Sequence, residues 1–402
     1  MHSLDDLRRV IRRIETRRPP RPAAQPAHEV LGGELHDTGD GQILVVRREF
    51  PLSHRHGRFS LGAAFEAPLD LLSAAARAEA PVGDARGLLF LDTETTGLAG
   101  GTGTYAFLVG AGWLEGDRLV LAQYFMRDFD DEPALLTALV PLFERASGVV
   151  TFNGAGFDLP LLETRFVLAR RRWPQDLPHL DLLRPSRRVW TARFADCRLA
   201  TLEREVLGLE RENDVPGALI PALYFDFLRS RRAAPLVRVF AHNRDDILSL
   251  IGLLGWFGRA LAVQDHLDAD ELAGLGRLWE SADLDRALAC YRAALAAGLT
   301  GPAAQRVRLR LARWEKRAAR WDAACALWEA ASRHDVFDPL PWEELAKFHE
   351  HRRRDLAAAR AIVEEALDLA AAAGGPERTL DALAHRLGRL ERRLTTRGRG
   401  HA

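Results

Sequence analysis

The sequence predicts an α/β domain built on a mixed β-sheet flanked by helices, followed by an all-α region. Three observations carry this. Between residues 86 and 260, short apolar runs alternate with helical segments. Two of those runs flank a tight turn and read as a hairpin. Beyond residue 268 the composition changes to Ala- and Leu-rich helices with internal similarity. At 402 residues the chain is longer than one hydrophobic core usually organises, so more than one domain is expected.

Taken in order, GLLFLD from Gly87 is a continuous apolar run ending in acid, as expected of a strand buried on both faces. YAFLVGAGWL and LVLAQYFM lie on either side of the turn Glu115-Gly116-Asp117-Arg118. A helix is predicted after Asp131, a strand at GVVTFN, a helix from Leu159 to Arg172 and a strand at HLDLL. Further helices are predicted over Leu199 to Leu207, Ile220 to Arg231 and Leu236 to Trp256. In the third region LDRALACYRAA from Leu284, WDAACALWEAA from Trp321 and LAAARAIVEEA from Leu356 align. Their starts are 37 and 35 residues apart, near the tetratricopeptide period, with a small residue recurring at Ala287, Ala324 and Ala359. An irregular helical bundle is the alternative. The tail TTRGRGHA is expected to be disordered.

Ahead of the α/β region, Leu4, Leu7, Val10, Ile11 and Ile14 stand at helical spacing among arginines. This reads as a basic amphipathic helix, either an arm or a stripe docked on the body. Residues from Val30 to Leu71 suggest a small β-rich element, and His54 and His56 an ordinary loop. The boundaries expected are 1–29 for the arm, 30–85 for the β-rich element, 86–260 for the α/β domain and 268–395 for the helical repeats.

Lys+Arg and Asp+Glu balance at 56 each, so no global field advertises a polyanionic partner and any nucleic-acid contact must be local. Cys197, Cys290 and Cys325 are too few and too scattered for a disulfide framework or zinc cluster, which suits a reducing compartment. With no apolar run of membrane-spanning length, no membrane partner and a cytoplasmic location are expected.

Chemistry concentrates in acids at element ends. Asp92 and Glu94 are two apart at the end of the first strand of the α/β region, so both side chains share one face. Asp158, in NGAGFD, follows a strand at the start of a helix. His242 and Asp246 are i and i+4 on another helix. Carboxylates converging on one spot raise each other's pKa unless a cation is present. Hard oxygen ligands without clustered His or Cys select Mg²⁺ or Mn²⁺, and two such ions suit phosphodiester hydrolysis. A neutral imidazole at His242 suits a general base or a group that orients water.

At these residues the sequence resembles the DEDD exonuclease superfamily of the ribonuclease H-like fold, over residues 86 to 260. The resemblance lies in Asp92-Thr93-Glu94, in Asn153 to Asp158, and in His242 to Asp246. It is most similar to the bacterial YprB-like ribonuclease H-like proteins with tetratricopeptide-type tails, also at Gly103 to Leu108, His179 to Leu182, and Asn213 to Gly217 ahead of Ile220-Pro221. The resemblance implies a mixed five-stranded sheet and a two-metal 3′–5′ exonuclease with Asp92, Glu94, Asp158 and Asp246 as metal ligands. It departs from the superfamily in placing a His at the spacing where a Tyr usually precedes the last Asp, so the role of His242 stays open between proton acceptor and water-orienting group. Asp245 is a substitute for Asp246 but turns away from the His242 face.

Thr95, Asn153, Phe157 and Arg188 are candidates for contact with a single-stranded DNA or RNA 3′ end, though a turn-forming Asn and a core Phe explain two of them as well. The glycine-rich loop from Leu98 to Tyr105 suits close approach to a nucleotide. Arg170 to Arg172, Arg184, Arg187, Arg188 and Arg193, with Trp173 and Trp190 interleaved, fit either a strand-tracking surface or solvated arginines over packed tryptophans. The repeats would take a protein partner. Two rival functions share this sequence pattern: a catalytically silent nucleic-acid-binding scaffold, and an endonuclease of the same fold.

Overall fold

The computed structural model describes residues 25–399 apart from 77, 79, 81, 98–100, 175–176 and 334–335. The amphipathic helix expected over residues 4–18 and the first residues of the glycine-rich loop lie outside the described residues. Two compact units emerge. The first runs to Ser186 and resumes over Asp196–Val263; the second comprises Arg187–Ala195 and the chain from Gln264.

The first unit is built on one mixed seven-stranded sheet, two strands wider than the five expected. Its strands are β1 (Glu34–Asp37), β2 (Gln42–Pro51), β5 (Leu88–Thr95), β6 (Ala106–Glu115), β7 (Arg118–Phe125), β8 (Gly148–Thr151) and β9 (His179–Asp181). Their spatial order is β1-β2-β7-β6-β5-β8-β9. The two extra strands come from the β-rich N-terminal stretch: β2 pairs antiparallel with β7 from Leu44 opposite Phe125 to Pro51 opposite Arg118, and β1 pairs on β2. A separate hairpin joins β3 (Arg55–His56) to β4 (Phe59–Ser60). β5 and β8, and β8 and β9, are parallel, so the C-terminal ends of these three strands lie at one edge of the sheet. This edge is where Asp92, Glu94 and the turn after β8 fall.

Burial explains the strand sequences. β6 is buried from Ala106 to Trp113, because it is central and covered on both faces. Phe107 stacks on Tyr224 of the Ile220–Ser230 helix, with ring centroids 3.9 Å apart and planes 5° from parallel. The Leu236–Ala262 helix crosses the sheet very closely. A Cβ on Gly110 of β6 would stand 2.3 Å from Asn243 Oδ1, and one on Gly112 would stand 2.8 Å from an Ile247 methyl. Only a strand without side chains at those two positions admits the helix at this depth.

The stretch predicted as one helix from Leu199 changes character part-way. It is α-helical over Leu199–Leu202 and continues as a π-turn over Glu203–Leu207, ending on Gly208 at φ 65°. The wider turn carries the Glu203 side chain inward, where the residue is 2% exposed.

The second unit is helical. Helices begin at Leu284, Trp321 and Leu356, where the aligned stretches begin, and Ala287, Ala324 and Ala359 are fully buried. Asp283 and Asp355 cap two of these helices, each accepting a backbone N–H three residues on. The tail expected to be disordered is instead helical as far as Arg399, within Glu377–Arg399. Leu383 and Leu390 bury completely or nearly so on one face of that helix, and the Thr395 and Thr396 hydroxyls donate to the carbonyls of Glu391 and Arg392 at 3.0 and 2.9 Å. Once nucleated by that stripe, adding turns costs little. Among the described residues no helix is long and apolar enough to cross a membrane.

Candidate active site

Alternation along β5 puts Asp92 and Glu94 on one face and Thr93 on the other. The Leu236–Ala262 helix lies over the Asp92 face. From it Asn243 donates to Asp92 Oδ2 at 2.8 Å, while Gln123 of β7 donates to Asn243 Oδ1 at 2.9 Å and to the Phe240 carbonyl at 2.8 Å. Asp92 is therefore aimed by a buried amide relay anchored two strands away.

One helical turn beyond, His242 and Asp246 face Glu94. Glu94, His242 and Asp246 each offer a ligand atom within 4.8 Å of the others, the one such grouping of three acids or imidazoles among the described residues. His242 Nε2 is 3.6 Å from Asp246 Oδ2, and its Nδ1 is 2.7 Å from Asp214 Oδ1. Asp245, the substitute weighed against Asp246, pairs with Arg244 at 2.7 Å and lines a different cavity.

Asp158 opens the Asp158–Leu168 helix and is 5% exposed. Thr93 Oγ1 donates to its Oδ1 at 2.5 Å. Asp92 and Asp158 are each held by a hydrogen bond of their own, and the charge of each raises the Glu94 pKa. Electrostatics ties all of them together. Loss of hydration pushes the Asp92 carboxyl well above its usual range, and Asp246 and Asp158 push it further. Glu94 is raised in the same way, by desolvation first and then by Asp92, Asp246 and Asp158. Burial lifts Asp158 to about 6 against the opposing Thr93 hydrogen bond. Such a cluster lacks positive charge.

Part of that charge comes from Arg211, which sequence reasoning missed. Its guanidinium pairs with Asp246 and Glu203, donates from Nε to Glu203 at 2.8 Å, and approaches His242 Nδ1 at 3.3 Å. Burial works against its charge, but Asp246 and Glu203 hold the proton on more firmly than usual. The Glu203 carboxyl is raised by burial despite that partner, and Ser249 Oγ bridges it to His56. His56 is itself buried, with Nε2 2.8 Å from the Ser249 hydroxyl, and desolvation lowers its pKa to about 4. An arginine in ERENDVPG reads as solvated, and only the inward π-turn at Glu203 betrays its burial.

The turn that delivers Asp158 is organised by Asp181 of β9. Its carboxylate accepts from the backbone N–H groups of Asn153 at 2.7 Å, Ala155 at 3.2 Å and Leu183 at 3.0 Å. Asn153 is exposed with φ 68°, and Gly154 presses on Thr151 so closely that a Cβ would lie 2.3 Å from its hydroxyl. Phe157 is half-buried at the cap of the helix. Thr95 is buried and its hydroxyl donates to the Gly97 carbonyl at 2.8 Å. Arg188 belongs to the helical unit, where its Nη1 is 3.5 Å from the Arg277 carbonyl. Trp173 packs against Phe143 and Phe166, in keeping with a core role.

Residues 89–258 match a family model of the RNase H superfamily. Over 365 residues the chain is 31% identical to the uncharacterized protein YprB of Bacillus subtilis (strain 168), covering 89% of this chain and 87% of that protein. The chain belongs with YprB, and its residues 89–258 form a ribonuclease H superfamily domain. Membership accounts for the parallel β5-β8-β9 edge with acids at its C-terminal end, and brings with it a nuclease fold whose members usually work with divalent metals. The donor set fits such an ion: carboxylate oxygens beside one imidazole, with three of the acids, Asp92, Glu94 and Asp158, held in an environment that disfavours their charge and an arginine reaching Asp246 alone among the site carboxylates.

Proposed function

We propose that the first unit is a divalent-metal-dependent 3′–5′ exonuclease acting on single-stranded or frayed DNA or RNA ends. The observation that carries the reading is the approach of Glu94, His242 and Asp246 within 4.8 Å, with the charges of Asp92 and Asp158 acting on Glu94. In this reading Asp92, Glu94, Asp158 and Asp246 hold Mg²⁺ or Mn²⁺. Ions held there would supply positive charge against that building on the scissile phosphate and the leaving 3′ oxygen.

The chain's own groups supply the rest. His242 takes the proton of the attacking water at Nε2, because Asp214 accepts from Nδ1–H and so leaves Nε2 as the free lone pair. Arg211, bound to Asp246 and close to His242, fixes the separation of those two side chains. Asn243 and Gln123 keep Asp92 turned to the site. The exposed Asn153 and half-buried Phe157 stand at the Asp158 turn, where a terminal nucleotide would be met. Beside that turn, a cavity of about 510 Å³ lined by Ala155, His179, Asp181 and Arg184 offers a guanidinium for its phosphate.

The test is hydrolysis of 5′- and 3′-end-labelled DNA and RNA oligonucleotides with Mg²⁺ or Mn²⁺. Wild type should shorten them stepwise from the 3′ end, and Asp92→Ala and Asp158→Ala should be inactive. Equal rates in all three proteins, or cleavage of a circular single strand, would count against the reading.

A further inference from the structure

A second cluster of charge lies in the helical unit. The Pro339–Phe348 helix runs on into a π-turn over His349–Arg353 that ends on Arg354 at φ 56°, the same construction as the Glu203 turn. It likewise turns a glutamate inward: the Glu350 side chain has no exposure. From the Glu377–Arg399 helix three arginines converge on this carboxylate. Arg386 reaches it at 3.2 Å, Arg389 grips it bidentately at 2.8 and 2.9 Å, and Arg393 closes on it as well. The positions 386, 389 and 393 repeat at helical spacing, so one face of the helix presents all three.

One buried negative charge serves three positive ones and leaves two uncompensated. The side chains of Arg389 and Arg393 are 37% and 46% exposed, so their outer N–H groups remain open to an anion. By sequence, seven arginines stand against three acids in that helix. Two cavities flank the fan. One, of about 400 Å³, is lined by Leu356, Arg389, Arg392, Arg393 and Thr396. The other, of about 320 Å³, is walled by Trp321, Trp328 and Phe348 and reached by Arg386. On the rim of the aromatic cavity the Arg352 guanidinium carbon lies 4.1 Å over the Trp321 ring, so a base meeting this wall exchanges with that guanidinium or stacks on it.

We infer that this face of the helical unit binds single-stranded nucleic acid, with backbone phosphates on Arg389 and Arg393 and a base against Trp321. Glu350 acts as the internal post that holds the guanidiniums in a fixed fan, so little side-chain freedom is lost on binding. The choice of nucleic acid among polyanions leans on the nuclease reading; the arginine and tryptophan geometry does not. An acidic peptide would use the arginines but not the aromatic wall.

The experiment is fluorescence anisotropy of the full chain with labelled oligo-dT and oligo-rU of about 20 nucleotides, in EDTA so that nothing is cut. Arg389→Ala/Arg393→Ala should bind about ten-fold or more weakly at low salt. The slope of log K against log salt should fall by roughly 1.4, for two phosphate contacts at about 0.7 each. Arg389→Lys/Arg393→Lys keeps the charge and should keep the slope, and Trp321→Leu should weaken binding with the slope unchanged. Wild-type affinity and slope in the alanine variant with an unaltered melting curve, or equal losses in the lysine and alanine variants, would overturn the proposal. So would displacement of the oligonucleotide by polyglutamate as effective as by unlabelled oligo-dT. Loss of binding here alongside no metal-dependent cleavage supports this site and refutes only the exonuclease reading; cleavage without arginine-dependent binding does the reverse.

Discussion

Replacing Asp158 by Asn should stabilise the metal-free protein at neutral pH and leave it unaffected in acid. Burial raises the Asp158 carboxyl from its ordinary 3.8 to about 6. A carboxyl whose pKa is higher folded than unfolded binds more protons in the native state. Its neutral form therefore favours folding below about pH 4, and that advantage disappears as pH rises through about 6. Above that range the shift of about 2 units, at ~1.4 kcal/mol each, corresponds to ~3 kcal/mol against the native state. Asn keeps an oxygen to accept from Thr93 Oγ1 and carries no charge. The variant should melt several degrees above wild type at pH 7.5 in EDTA, and alongside it at pH 4. Saturating Mn²⁺ should reverse the order, since wild type gains stability by binding and the variant loses a ligand. Calorimetry or dye-monitored melting at the two pH values reads this directly. An Asn variant that melts below wild type by the same amount at both pH values would refute the argument that desolvated charge is stored at this position.

Further outcomes follow from the same geometry. Asp214→Asn should lower kcat by about 10–100-fold while KM stays near wild type, because the carboxylate that sets the His242 tautomer is lost; a KM effect alone would contradict this. Arg211→Ala should destabilise the fold by ~3–5 kcal/mol in chemical denaturation, since Glu203 at 2% exposure is left buried without its cation, and Glu203→Gln in the same chain should recover much of the loss. Gly110→Ala would set a Cβ 2.3 Å from Asn243 Oδ1. It should cost ~1–3 kcal/mol and reduce activity by freeing Asp92, whereas Gly83→Ala, with open space around it and no positive φ, should leave the Asn243 contact and activity intact.

Much of the fold was legible because its signals are local. The buried strands β5 to β8 are apolar runs, and the acids stand at their ends, where alternation and helix spacing set their direction. The width of the sheet was not. QILVVRREF carries an apolar run like a strand, yet its partner, β7, lies some 70 residues on, and nothing within the segment specifies that pairing. The acids and His242 were readable as chemistry-bearing residues, but not the groups that position them. Asn243 sits between His242 and Arg244 with no signal beyond being polar on a helix. Its role depends on Gly110 and Gln123 from two other strands. Glu203 and Arg211 belong to a π-turn and a loop, respectively, and π geometry has no periodic signature in sequence. The last turn of the terminal helix, residues 395–399, expected as part of a disordered tail, shows the same limit in reverse: Gly and Arg composition reads as loop, while the leucine stripe upstream carries the helix through it.

The central claim is that carboxylates brought together by β5, the Asp158 turn and the Leu236–Ala262 helix bind divalent metal. Isothermal titration of the chelator-stripped protein with Mn²⁺ tests it most directly. Saturable binding should be present in wild type and be weakened at least ten-fold by Glu94→Gln or Asp246→Asn. No binding in wild type, or binding that both substitutions leave untouched, would contradict it.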